Sequence, residues 1–282
     1  MLKITTMNRK TFLQTTATMA IGAIVGDSVL NTVSATENHN PANASFPLMD
    51  LHVHRSDKQS IEQIVEKSKR MGITFGVMEN VAPWGITNDE QMQAYIDAIK
   101  PYPVYVGLQP MSPGWSKNFS KDIIAQADYI AMDPQMIPNA NGYGEDVQVW
   151  EYATYIDDTE AFMERNMEHY MQILAGDDPI DIFACPLLLP YCIEREYQKL
   201  WTKKRLQTII DAAKARNIAI EISDMMRVPD EEFILMVKRA GLKFTFGSDT
   251  RDEKTGRLVY CKQVARRCGL TEKDFFVPKR KL

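Results

Sequence analysis

His52 and His54 lie two positions apart at the end of a short apolar run, Phe46-Pro47-Leu48-Met49-Asp50-Leu51. On a β-strand that spacing turns both imidazoles to one side, where they can bind one ion, and Asp50 falls at the same parity. A third ligand stands far along the chain, Asp249 in Thr245-Phe246-Gly247-Ser248-Asp249-Thr250. Two neutral imidazoles and one carboxylate leave coordination positions open for water, a set that suits one zinc, manganese or iron ion. Such an ion acidifies bound water and polarises a substrate oxygen. The competing readings are structural histidines and, for Asp249, a turn or helix cap.

The supply of imidazole limits the number of metals. The chain has four histidines, His39, His52, His54 and His169. His39 falls in a polar stretch and His169 in the middle of a helical pattern, where it reads as packing or surface. One ion is therefore expected, and a cluster built mainly from imidazoles is not.

These residues have to be positioned by something, and short apolar runs alternate with helical patterns along the chain, the mark of repeated βα units and a parallel sheet. Seven strands are expected at Phe46–Val53, Ile73–Met78, Val104–Leu108, Tyr129–Met132, Ile180–Ala184, Ile218–Ile222 and Lys243–Gly247. Helices are expected near Ile61–Met71, Asn88–Lys100, Lys117–Ala127, Thr159–Ala175, Glu196–Arg216, Asp230–Ala240 and Arg257–Cys268. Ser60 with Gln63 reads as a capping box, and Gly72 and Gly241 read as helix stops. Residues 133–158 have no clear period and read as one long functional loop. The most economical fold is an α/β single domain, a TIM-like barrel of seven βα units, with an open doubly wound sheet as the alternative.

In such a barrel the chemistry sits at the carboxyl ends of the strands. Those ends supply His52 and His54, Glu79 and Asn80, Gln109, Asp133, Cys185, Glu221 with Asp224, and Asp249. Closure brings the last strand beside the first, and so Asp249 to the histidine pair. Gln109 is a candidate neutral ligand or substrate donor, Asp133 a ligand or general base, and Glu221 a carboxylate that needs a partner if it faces inward. Arg55 and Arg251 can pair with an anionic substrate group. Trp84, Trp115 and Trp150 are expected to shape a pocket on the same side.

With 33 basic and 37 acidic residues the chain carries a net charge of −4. No basic field for nucleic acid is present, so a small polar or anionic substrate is expected. Residues 1–35 read as an export signal: Lys3, Arg9 and Lys10, an uncharged run from Thr11 to Gly26, then Val33-Ser34-Ala35. The run is short of the roughly 20 residues of a bilayer span, so no stable span is expected after cleavage. Asn8-Arg9-Lys10-Thr11-Phe12-Leu13 resembles a twin-arginine signal with lysine for the second arginine, so either that route or general secretion is open, to the periplasm or outside. Residues 36–45 read as a polar linker and 46–282 as the barrel. Four cysteines do not make a disulfide scaffold; free thiols are favoured, with a Cys185–Cys192 bridge as the alternative.

Asp50-Leu51-His52-Val53-His54, Gly76-Val77-Met78-Glu79-Asn80, Phe183-Ala184-Cys185-Pro186, Ile220-Glu221-Ile222 and Gly247-Ser248-Asp249 together resemble the PHP (polymerase and histidinol phosphatase) family, from about Met49 onward. The resemblance implies a distorted seven-stranded βα barrel and metal-dependent phosphoesterase chemistry with up to three metals. Only His52, His54 and Asp249 match its ligands; Met78-Glu79-Asn80, Gln109, Cys185 and Arg251 stand where the family has other ligands. The expected function is an exported metal-dependent hydrolase of phosphoester or related polar bonds. The alternatives are an inactive barrel that binds a small sugar or phosphate ligand, and a metal lyase or isomerase.

Overall fold

A computed structural model describes residues 46–142 and 144–281, so the expected export signal, the linker and His39 lie outside the described residues. Seven parallel strands form one sheet in the order β1 (Met49–Val53), β2 (Thr74–Val81), β3 (Tyr105–Pro110), β4 (Tyr129–Met132), β7 (Ile182–Phe183), β8 (Ala219–Ser223) and β9 (Phe244–Gly247). The sheet curls until its edges meet: Val53 bridges to Thr250 in parallel, and His54 N donates to the Thr250 carbonyl at 3.1 Å. That seam selects the barrel over the open sheet. All described residues fall in one unit, His39–Leu282.

The helices are α1 (Ile61–Met71), α2 (Asp89–Ile99), α3 (Lys121–Ile124), α4 (Thr159–Leu174), α5 (Tyr197–Leu200), α6 (Lys203–Ala215), α7 (Glu231–Ala240) and α8 (Val259–Arg267). The capping box at Ser60 and Gln63 is present, and Gly72 and Gly241 end their helices in the left-handed conformation. Two helices differ from expectation because a capping residue interrupts each. Ser120 caps α3 at its N-terminus, leaving a separate 3-10 turn at Trp115–Asn118. Thr202 accepts from Arg205 N and starts α6 afresh, splitting the helix expected at Glu196–Arg216. The expected long loop holds a small hairpin, β5 (Met136–Ile137) with β6 (Val147–Gln148). All four cysteines are free, so the alternative bridge does not form. Among the described residues no helix is long and apolar enough to cross a membrane.

Strand parity sorts the side chains. Phe75, Val77, Phe244 and Phe246 face outward into the layer under the helices. Met49, Leu51, Met78, Tyr129, Ala131, Ile182, Ala184 and Ala219 form a separate apolar cluster, the lower barrel interior. Tyr129 fills much of it. A Cβ at Gly76 would lie 2.4 Å from its hydroxyl oxygen and one at Gly107 2.4 Å from its ring, so both strands carry glycine where the tyrosine crosses them. Its hydroxyl donates to the Leu51 carbonyl at 2.6 Å.

Parity also corrects one expectation. The β1–β2 register slips between Asp50 and Val53, as a bulge in β1 produces. Leu51 below and His52 above can then both face inward, whereas Asp50 turns away from them. Its carboxylate accepts from Ser248 N at 2.9 Å and Gly256 N at 3.2 Å, and burial raises it to about 6. Asp50 therefore ties the seam together and is not a ligand.

Candidate metal centre

Above the Tyr129 layer the inward positions become polar. Parity places Asn80, Gln109, Asp133 and Glu221 there, and the segment after β9 brings in Asp249. Gly247 makes the approach possible: a Cβ there would lie 2.6 Å from the Glu221 carboxyl and 2.7 Å from His52 Cβ. Several turns of this rim carry left-handed backbone. Ala82, Cys185, Arg227 and Asp249 have φ of 36°, 39°, 55° and 46°. Left-handed backbone at non-glycine residues costs about 1–3 kcal/mol each and persists where surrounding structure imposes it, often at functional sites.

His52 is the centre of the cluster. Its Nδ1 lies 2.9 Å from Glu221 Oε2, and its Nε2 lies 3.3 Å from Asp249 Oδ1 and 3.1 Å from the Gln109 amide nitrogen. His54 Nε2 is 3.8 Å from the same Asp249 oxygen and, though buried, has no hydrogen-bond partner. Ligand atoms of His52, His54 and Asp249 all lie within 4.8 Å of one another, as do those of His52, Cys185 and Glu221. Either group could hold a metal ion. The first has the better chemistry, because a ligating imidazole commonly gives its other nitrogen to a carboxylate that fixes its tautomer and aim, as Glu221 does here. An orphaned buried nitrogen on His54 fits the same set, since a buried lone pair without a partner is costly.

The electrostatics are those of a cluster of opposed charges. Burial pushes the His52 imidazole down, but Glu221 and Asp249 outweigh it and hold it at about 10. Burial likewise pushes Glu221 up and His52 outweighs it, leaving the carboxyl below its ordinary value. His54 is driven well below its ordinary value by burial, then by Arg251 and His52, which leaves a neutral ligand. Burial holds Asp133 up at about 7 against the pull of His52. Cys185 is pushed well above the ordinary thiol range by burial, so it sits as a protonated neighbour, its Sγ 3.3 Å from Glu221 Oε1.

The structure thus brings His52, His54, Asp249, Glu221, Gln109 and Asp133 together. Gln109 Nε2 donates to Asp133 Oδ2 at 2.9 Å, and Gln135 donates to Asp133 from both N and Nε2. Arg251 stands at the rim, half exposed, its Nη1 3.0 Å from Asp249 Oδ1. Asp224 is elsewhere, accepting from Cys261 N at the start of α8. Arg55 lies over the Tyr95 ring, 5.6 Å from its centroid, and Tyr95 bonds to carbonyls of β2 and β3 from the outer layer, so Arg55 is not placed for substrate. Trp84 and Trp150 are exposed on loops, but Trp115 is buried in the core and shapes no pocket. His169 is buried in the packing of α4.

Sequence reading missed two features. The Glu221–His52 pairing has no motif, since the two residues are 169 positions apart. Tyr152 and Tyr191, both exposed, lie against each other with tilted rings, centroids 4.9 Å apart, between the loops after β4 and β7; aromatics in loop segments are the available signal.

No protein-family model matches the chain, and no curated protein matches it. Similar solved structures include a chain from a cryo-EM structure of archaeal ribonuclease P with mature tRNA, at 12% identity and a TM-score of 0.38, covering 78% of this chain and 89% of that one. Another is a crystal structure of a citrate synthase variant, at 12% identity and a TM-score of 0.36, covering 80% and 96%. Likenesses of this degree say nothing of activity.

Proposed function

We propose that the barrel mouth is a one-metal centre that activates water to hydrolyse a small polar or anionic substrate, with a phosphoester or related polar bond as the resemblance to the PHP family implies. The observation that carries this reading is the Glu221–His52 pair, which leaves His52 Nε2 directed at Asp249, beside the partnerless Nε2 of His54. Two nitrogen donors and one oxygen donor fit zinc, manganese or iron. Such an ion supplies a Lewis acid that acidifies water and polarises a substrate oxygen.

The chain's own residues divide the remaining tasks. Asp133, held at about 7, can take up or release a proton near neutral pH. Gln109 positions Asp133 through its amide nitrogen, and its Oε1, buried without a partner, is an acceptor free for a substrate hydroxyl. Arg251 can leave Asp249 for an anionic substrate group. With residues 1–35 read as an export signal, the work is done outside the cytoplasm.

Metal analysis of the purified full chain tests the centre. About one equivalent is expected in the parent and almost none in a His52→Ala, His54→Ala variant; equal metal in both overturns the site. Turnover of a phosphoester panel that survives exhaustive chelation would overturn the hydrolytic role. A second reading, a barrel that binds a small sugar or phosphate ligand without turning it over, is favoured by Arg251 and Gln109 already standing against Asp249 and His52. Bound metal with no turnover across the panel would select it. Solvent-oxygen incorporation from labelled water separates hydrolysis from a lyase or isomerase.

A further inference from the structure

Ser248 and Thr250 flank Asp249, yet they serve a different space. A cavity of about 550 Å³ lies between the loop after β8, the loop after β9 and the first turn of α8, and none of His52, His54 and Asp249 lines it. Its charged walls are Arg227, Lys254 and Arg257 against one carboxylate, Asp224. Asp224 is already engaged, accepting from Cys261 N at 3.2 Å. Among the described residues neither Arg227 nor Arg257 has a carboxylate oxygen within ion-pair distance, although Arg257 attracts the Asp224 charge across the cavity, and Lys254 reaches Asp252 only at 4.0 Å. A concentration of cations on a chain with net charge −4 is a local field of the opposite sign to the whole. Arg227 is also held in the left-handed region, at φ 55°, in the loop that forms the wall.

The floor is polar and prearranged. Ser248 and Thr250 are buried, with their hydroxyls 2.8 Å apart, and Thr250 continues to Thr255 Oγ1 at 3.0 Å. Gln59 donates to Thr255 from Nε2 at 2.7 Å, and its Oε1 is occupied by Lys67 Nζ at 3.0 Å. Thr255 in turn donates to the Asp252 carbonyl. The Ser248 side chain also hydrogen-bonds the Asp50 carboxyl, which anchors this row of hydroxyls to the seam of the barrel. Beside it, Val259 and Tyr260 offer a less polar wall. The volume falls in the range of small-molecule sites, well above that of a bare inorganic anion.

We propose that this cavity is a second site, independent of the metal centre, for a small organic dianion whose charged end pairs with Arg227, Arg257 and Lys254 and whose body rests on Val259 and Tyr260. Guanidinium pairs match the two-oxygen edge shared by phosphate monoesters and dicarboxylates. The test is calorimetric titration of the chelator-treated full chain with inorganic phosphate, glycerol phosphate and succinate at low ionic strength. One site per chain is expected, weakened at least about tenfold in an Arg227→Gln, Arg257→Gln variant and weakened by added salt. Tighter binding of glycerol phosphate than succinate assigns a phosphate monoester; the reverse assigns a dicarboxylate. The His52→Ala, His54→Ala variant keeps this binding even if the metal reading fails, and the arginine variant keeps its metal content and circular dichroism. Binding of none of the three ions, or equal binding by parent and arginine variant, overturns the proposal.

Discussion

Below the mouth, Tyr129 lies across Gly76 and Gly107 and donates to the Leu51 carbonyl, and almost every neighbour is apolar. One layer higher, His52, Gln109 and Glu221 on the strands, with Asp133 and Asp249 just past β4 and β9, form a layer of mutually dependent charges and amides. Both layers rely on glycine for close approach, Gly107 against the ring and Gly247 against Glu221 and His52. The lower layer gains from burial what the upper layer gives up in desolvated charge and left-handed backbone.

Substitutions that act on one layer alone should separate the two. The largest effect is expected from Gly107→Ala, whose new methyl would meet Tyr129 at 2.4 Å. Overpacking of this kind costs about 1–3 kcal/mol, read as a lowered midpoint in denaturant; an unchanged midpoint would mean the ring is not held as described. Metal content should be preserved in whatever fraction folds. Glu221→Gln makes the converse change. It keeps the shape but removes the charge that orients His52, and metal affinity should fall about 10–100-fold, measured by competition with a chelator. If affinity is unaltered, Glu221 is only a packing residue.

The asymmetry between the layers also explains what could be read in advance. Seven strands, the seam and the His52, His54 and Asp249 set follow from alternation and from chemistry at strand ends, both local patterns. The bulge in β1 does not, because one extra residue leaves no mark in the hydrophobic run, and so Asp50 is misassigned by simple parity. Nor does the Tyr129 layer, whose sign is only two glycines inside strands. Trp115 reads as a loop aromatic because its 3-10 turn has no periodic signature, yet it packs in the core. Partnerships such as Glu221 with His52 depend on tertiary closure and have no sequence spacing at all.

A smaller effect sharpens the idea that the mouth costs stability. Asp133 is raised from 3.8 to about 7, so the folded chain holds a proton there that the unfolded chain releases. Stability from this group is complete below pH 3.8 and is lost as pH rises through about 7. Asp133→Asn should therefore be more stable than the parent at pH 8 by on the order of 1–2 kcal/mol, and the gap should narrow towards pH 4. The amide is accommodated because Gln109 Oε1 and Gln135 Oε1 are both buried without partners, and turning either glutamine offers an acceptor. A variant less stable than the parent at pH 8 would show that the carboxylate stabilises the fold.

The smallest effect asks whether buried titration is confined to the mouth. His169 sits in the packing face of α4, and burial lowers it from 6.5 to about 4, with Arg165 adding to the shift. Here the sign is opposite to that of Asp133. The unfolded chain takes up a proton below pH 6.5 that the folded chain refuses until about pH 4, so stability is present at neutral pH and falls as the solution is acidified through that window. The slope is bounded at about 1.4 kcal/mol per pH unit for one group. His169→Leu should flatten the fall between pH 6 and about 4 by part of that amount while leaving metal content unchanged. An unaltered slope would show that His169 makes no contribution to the acid sensitivity of this barrel.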